Sequence, residues 1–302
     1  MPLADWCRRG SQRKKNRKCK HLYPDHHSPT LETNSQVSMI PLDYHMHSRY
    51  SEDSQGTPEA MCRRAIVLGI PEVGFAEHWD VGPYEKNPRF FQPELWYSEI
   101  ERLRIRFSGK LTIRAGVEIA EPHLYPQASA EILTRAPFDF VLGSVHFVGS
   151  NFMFDESYFR SHTADQVYRA YFAEVENLLE TADLDILAHL DIPVRTAGPI
   201  LGYDPGRYEE EIRRILGKVI DRGLSLDVNA AGLRKPSRNL MPDPQILKWY
   251  AGMGGERVTL GSDAHSAAQV GMHLDKALEA IRQAGISGVT CFERRKAGYI
   301  SI

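Results

Sequence analysis

Histidine and carboxylate side chains recur in this sequence in short groups whose donor types and spacing suit metal binding. His45-Met46-His47 and Asp263-Ala264-His265 each set two donors two residues apart. On an extended strand both would leave the same face. Glu77-His78, Gly116-Val117-Glu118, Gly143-Ser144-Val145-His146 and Ala188-His189-Leu190-Asp191 add further imidazoles and carboxylates, and Asp53 follows the first pair closely. Imidazole nitrogen with carboxylate oxygen and no thiolate suits zinc, manganese or iron rather than calcium or Cu(I). A catalytic zinc takes about three protein ligands. The nine candidates His45, His47, Asp53, His78, Glu118, His146, His189, Asp263 and His265 therefore imply two to three divalent transition-metal ions. Glu118, in the middle of the set, is suited to bridge two of them. Glu77 and Asp191 are either partners that orient ligand histidines or plain loop charges.

One histidine at a strand end is more often a hydrogen-bonded surface or core residue than a ligand. The elements that carry these residues change the odds. Strand-like runs fall at 40–47, 73–76, 111–118, 140–146, 186–189, 224–229 and 258–262. Between them helical patterns fall near 58–68, 93–107, 126–134, 163–182, 206–222, 243–252 and 272–284. Thr57-Pro58 reads as the cap and first position of the first helix, and Gly69 as its stop. Seven β-then-α units predict an α/β fold, a distorted (β/α)7 barrel resembling a TIM barrel. In such a barrel the C-terminal strand ends converge on one mouth, where active sites are built. Six of the seven runs end in imidazole or carboxylate or are followed by one within two residues; His21, His26, His27, His123, His162 and His273 lie in the tail, loops or helices. So many polar side chains at one mouth would be costly unless cations neutralise them.

Residues 1–37 differ from the rest. They hold eight Lys/Arg against three Asp/Glu, without hydrophobic period, and predict a disordered basic tail ahead of one domain spanning 38–302. The remainder carries 29 basic and 36 acidic residues, a poor surface for long polyanions, so nucleic acid is not the expected partner. No apolar run of about 18 residues predicts a membrane span. Cys7, Cys19, Cys62 and Cys291 show no metal or disulfide spacing, which points to a reducing cytoplasm.

The ordered set His45-Met46-His47, Glu77-His78, Gly116-Val117-Glu118, Ser144-Val145-His146, Ala188-His189 and Ser262-Asp263-Ala264-His265 resembles the motifs of the PHP (polymerase and histidinol phosphatase) family. The resemblance runs from about Asp43 to about His265 and implies a distorted seven-stranded β/α barrel with a trinuclear metal site. It would place one ion on His45, His47, Glu118 and Asp263, a second on Glu118, His146 and His189, and a third on Asp53, His78 and His265. The stretch 226–235, ending Ala231-Gly232-Leu233-Arg234-Lys235, and His189-Leu190-Asp191 with Arg195 after it, resemble the histidinol-phosphatase branch. Many members of that branch have His where this chain has Asp53.

That branch implies hydrolysis of a small phosphorylated substrate, histidinol phosphate, to histidinol and phosphate. The attacking group would be a metal-bridging hydroxide. Arg195 and Arg234, on loops beside the mouth, would fork onto phosphate oxygens. Asp191 or a metal-bound water would protonate the leaving group, and Glu52, Asp80 and Glu121 would meet the substrate's cationic end. The rivals are a related phosphoesterase acting on a nucleotide, oligonucleotide or other sugar phosphate, a metallo-amidohydrolase, and a non-catalytic metal-binding barrel. No lysine ends a predicted strand, which disfavours the amidohydrolase; no GxxxxGK[ST] loop implies ATP.

Overall fold

The computed structural model describes residues 39–302, so the basic tail lies outside the described residues. Strands and helices alternate as β1 (Asp43–Met46), α1 (Pro58–Leu68), β2 (Glu72–Trp79), α2 (Pro93–Arg106), β3 (Thr112–Ala120), α3 (Pro126–Arg135) and β4 (Phe140–Ser144). A hairpin of β5 (Phe147–Val148) and β6 (Asn151–Phe152) follows, then α4 (Glu156–Ser161), α5 (Ala164–Thr181), β7 (Ile186–Leu187) and α6 (Val194–Leu201). The chain ends with α7 (Glu209–Asp221), β8 (Ser225–Asn229), α8 (Pro244–Gly252), β9 (Val258–Gly261), α9 (Leu274–Gln283) and the hairpin β10 (Gly288–Glu293) and β11 (Lys296–Ser301).

The seven expected strands form one parallel sheet in the order β1-β2-β3-β4-β7-β8-β9. It curls until its edges nearly meet. A single bridge joins Met46 to Ala264, with His47 N–H donating to Ala264 O (2.8 Å) and Asp263 N–H to His45 O (2.6 Å). The seam of the barrel therefore runs between two ligand pairs. The first helix begins and stops as expected: Thr57 Oγ1 accepts from Ala60 N–H, and Gly69 ends it with φ 71°.

Besides the β5–β6 hairpin and α4, two features escape sequence periodicity. Helix α6 has Pro199 inside it and follows Pro193, so its sequence reads as a breaker. The strands β10 and β11 pair antiparallel outside the barrel sheet and close its N-terminal end. There the rings of Tyr44 and Phe140 stack 4.9 Å apart, with Phe292 of β10 tilted against both. Phe140 reaches the barrel interior because Gly74 and Gly116 face it; a Cβ at Gly116 would lie 2.3 Å from the ring. The apolar closure of this end leaves the opposite end for polar chemistry.

Candidate metal centre

Strand β1 delivers His45 and His47 to the C-terminal mouth, both essentially buried. Glu118, fully buried in β3, is the hub. Its Oε2 lies 3.2 Å from His45 Nε2, 3.3 Å from His78 Nδ1 and 3.5 Å from His47 Nε2. Its Oε1 lies 2.9 Å from His189 Nε2 and 3.4 Å from His146 Nε2. The two oxygens thus face different imidazole groups, as a bridging carboxylate would. Asp263 Oδ1 is 3.5 Å from His47 Nε2, Asp53 Oδ2 is 2.9 Å from His265 Nε2, and Asp53 Oδ1 is 3.8 Å from His78 Nε2. All nine expected ligands are brought together.

The residues present fit metal ions. His47 is fully buried, yet neither ring nitrogen makes a hydrogen bond, and His78 Nδ1 and His189 Nδ1 are orphaned likewise. Its ring stacks on those of His78 and His265 at 4.1 and 4.5 Å. Burial, then the neighbouring His78 and His265, hold its pKa well below the usual imidazole value. A neutral imidazole with a free lone pair is the form that ligates a cation. Burial opposes ionisation of Glu118, but the imidazoles of His45 and His78 outweigh it and hold the carboxyl well below its usual range. His146 is raised to about 10, burial being overcome by Glu118 and Asp80.

Strand β8 was expected to carry no ligand, and it supplies support instead. Asp227 Oδ2 lies 2.9 Å from His45 Nδ1, and Asn229 Nδ2 reaches Asp227 Oδ2 (3.3 Å) and Asp263 Oδ2 (3.4 Å). Such a carboxylate fixes the tautomer and plane of a ligating histidine. The signal was present in Leu226-Asp227-Val228-Asn229, where two polar residues share one face of a fully buried strand. Glu77 orients no histidine. It accepts from Ser48 N–H, both Ser48 and Ser51 hydroxyls and Trp96 Nε1, and so holds the β1–α1 loop that carries Asp53.

Both arginines sit on helical turns rather than loops. Arg195 opens α6, with Nη1 3.6 Å from Asp263 Oδ2 and its guanidinium over the Phe154 ring. Arg234 ends a 3-10 turn and donates through Nη1 to Ser262 O (2.7 Å) and through Nη2 to Asp263 O (2.9 Å). Asp263 adopts φ 52°, a left-handed conformation unusual outside glycine. Arg234 thereby pins a strained ligand backbone.

Asp191 is fully buried but stands apart from the cluster. Its Oδ2 accepts from Asp243 N–H, the hydroxyl of Tyr203 lies beside it, and burial raises its carboxyl to about 7. Among the described residues no hydrogen bond or ion pair joins its side chain to a metal-ligand candidate. Of the expected rim acids, Glu52 accepts from Asn87 and Glu121 accepts from the backbone N–H groups of His146 and Phe147. Asp80 lies 3.8 Å from both His78 Nδ1 and His146 Nδ1. Glu85 was not foreseen. Burial and then Asp80 raise its carboxyl to about 7, and burial raises Asp80 to about 7 as well.

Known proteins share this arrangement. The PHP domain profile matches residues 43–231. A Deinococcus radiodurans protein named "Probable histidinol-phosphatase" is 31% identical over 262 residues, covering 84% of this chain and 97% of that protein. The histidinol-phosphatase of Lactococcus lactis is 28% identical over 267 residues, 85% of this chain and 96% of that protein. A crystal structure of histidinol phosphate phosphatase from Lactococcus lactis, complexed with zinc, L-histidinol and phosphate, superposes with a TM-score of 0.77 at 26% identity, over 86% of this chain and 99% of that one. With seven parallel strands closing on one His/Asp/Glu cluster and a profile match over most of the barrel, this chain belongs to the PHP domain family.

Proposed function

We propose that this chain is a metal-dependent phosphatase that hydrolyses histidinol phosphate to histidinol and phosphate. The observation that carries the substrate is a mouth of two signs. Arg195 and Arg234 follow β7 and β8, while Asp80, Glu85 and Glu121 follow β2 and β3. In the sheet order these strand pairs are separated by β4 on one side and by β9 and β1 on the other. A substrate with phosphate at one end and ammonium at the other fits that polarity. Its likeness to a Lactococcus lactis structure that holds zinc, L-histidinol and phosphate supports the same reading.

The ligand sets proposed, as the family resemblance implies them, are His45, His47, Asp263 and Glu118; Glu118, His146 and His189; and Asp53, His78 and His265, while the donor atoms that lie within 4.8 Å of one another group as His45, His47 and Asp263; His45, Glu118 and His189; His78, Glu118 and His146; and His47, His78 and His265. Two to three ions are proposed, with zinc the first candidate. When bound, such ions acidify a shared water and neutralise charge on phosphate oxygens. Glu118 and Asp263 hold the cluster's charge, Asp227 fixes the plane of His45, and Arg195 donates to the phosphate. Arg234 keeps Asp263 in its strained conformation and has remaining N–H groups that can point to the same anion.

The test is the specificity constant for histidinol phosphate against an aryl phosphate and a nucleotide monophosphate. The amino-alcohol ester should exceed both by at least tenfold, equivalent to about 1.4 kcal/mol. A nucleotide winning by that margin overturns the substrate and leaves the metallophosphatase intact. Elemental analysis should find two to three ions per chain; one or none overturns the cluster.

A further inference from the structure

The β5–β6 hairpin has no part in the chemistry described so far, yet it ties a metal-binding histidine to an anion-binding arginine. His146 stands at its start, and Met153 N–H donates to His146 O (2.8 Å) across its base. Phe154 follows directly. Its ring centroid lies 6.1 Å from the His146 ring and 4.0 Å from the Arg195 guanidinium carbon. Phe152 packs edge-on against Phe154 at 4.9 Å, and Phe147 tilts against Phe152 at 5.0 Å and stacks on Tyr84 at 5.9 Å. The Phe154 ring is thereby fixed from behind.

The two arginines of the mouth are held in different ways. Arg234 spends two N–H groups on the carbonyls of Ser262 and Asp263. The Arg195 guanidinium donates no hydrogen bond to the protein among the described residues; it has a 3.6 Å ion pair with Asp263 and the face of Phe154. A long side chain held by one loose ion pair would sample several rotamers, each a cost on ordering it around a ligand. A ring face at 4.0 Å removes that freedom and leaves the guanidinium edge open, because stacking uses the plane and spares the N–H donors.

We propose that Phe154 is a positioning residue, which sets the plane of Arg195 so that its N–H edge meets the phosphate oxygens. The proposal rests on the phosphatase reading of the same mouth. It makes the hairpin a strut that keeps the ligand His146 and the anion clamp Arg195 in register.

Calorimetric titration of inorganic phosphate into the metal-loaded protein tests this without turnover. Phe154→Leu should weaken phosphate binding roughly three- to thirty-fold, the range expected for one partly buried cation–π contact, with metal content and melting temperature unchanged. Phe154→Tyr keeps the ring face and should stay within about threefold of the parent. Arg195→Ala should weaken binding further, and the double variant should be no weaker than Arg195→Ala, since Phe154 acts through that arginine. Unaltered binding in Phe154→Leu, an additive double variant, or a loss that follows metal content would each overturn the proposal. If histidinol phosphate proves a poor substrate while phosphate still binds as described, the substrate reading fails and the role of Phe154 stands.

Discussion

At the scale of single residues, Glu118 concentrates the chemistry, because one buried carboxylate serves five imidazoles through two oxygens. Glu118→Gln keeps the shape and removes the charge. It should lower metal content below two ions per chain and cost several kcal/mol in kcat/KM, on the order of 3 kcal/mol or more; elemental analysis and steady-state kinetics check both. Asp227→Asn is gentler, since His45 keeps a hydrogen-bond partner of the wrong polarity. A ten- to hundred-fold loss of metal affinity, the usual order for such outer partners, is expected. Glu85 gives a pH signature. Its carboxyl, raised to about 7, is mostly protonated below that pH and ionised above it. Attraction for a cationic substrate should therefore grow as pH rises through about 7. The ratio of specificity constants for histidinol phosphate and an aryl phosphate, which has no cationic end, reports this term, and Glu85→Gln should flatten it. The sign for stability is opposite: a raised carboxyl contributes most below its unfolded value and loses that contribution as pH rises through 7.

At the scale of elements, the strands aim the ligands and their neighbours keep the aim. Gly261 ends β9 where a Cβ would stand 2.5 Å from His45 Cβ and 2.7 Å from Asp227 Oδ1. Gly261→Ala must push the His45–Asp227 pair aside. Overpacking of this kind costs about 1–3 kcal/mol, and metal content should fall with the melting temperature. The hairpin of β10 and β11 acts at the other end. Phe292 is 4% exposed and covers Tyr44 and Phe140, so Phe292→Ala should cost about 3–5 kcal/mol of stability. Being far from the mouth, it should leave kcat of the folded fraction near the parent value. A denaturation curve and an activity assay on the same sample separate these outcomes.

At the scale of the whole molecule, one bridge joins the edges of the barrel, and candidate metal ligands flank it. His45, His47, Asp263 and His265 flank the seam between β1 and β9, so ions bound there would cross-link the sheet edges. Chelation should lower the melting temperature by about 10 °C, as expected when one tightly bound ion contributing about 4 kcal/mol is withdrawn from a domain of this size. All the candidate ligands lie among the described residues, and the segment preceding Met39 lies outside them. A chain beginning at Met39 should keep its melting temperature and turnover number; loss of either assigns the basic segment a place on the barrel.

The sequence by itself determined the candidate ligand set and the order of the strands. Donor types and a two-residue spacing are local properties, and alternation of apolar runs with amphipathic ones survives without knowledge of what each element meets. Eight of the nine ligand candidates follow from those two signals, and Asp53 from its place on the loop after the first strand. The roles of the other charges were decided only in three dimensions. Asp191 and Asp227 are both acids near strand ends, and nothing local says that one faces tyrosine hydroxyls and the other a ligand histidine. Arg195 and Arg234 look alike in sequence, but partners 28 and 29 residues away turn Arg234 toward a backbone while Phe154 leaves the edge of Arg195 free. The C-terminal hairpin was invisible for the same reason: its fixed place depends on Phe292 meeting Tyr44 across 248 residues. Local pattern sets what a residue can do; tertiary packing, by choosing its neighbours and removing its water, sets which of those things it does.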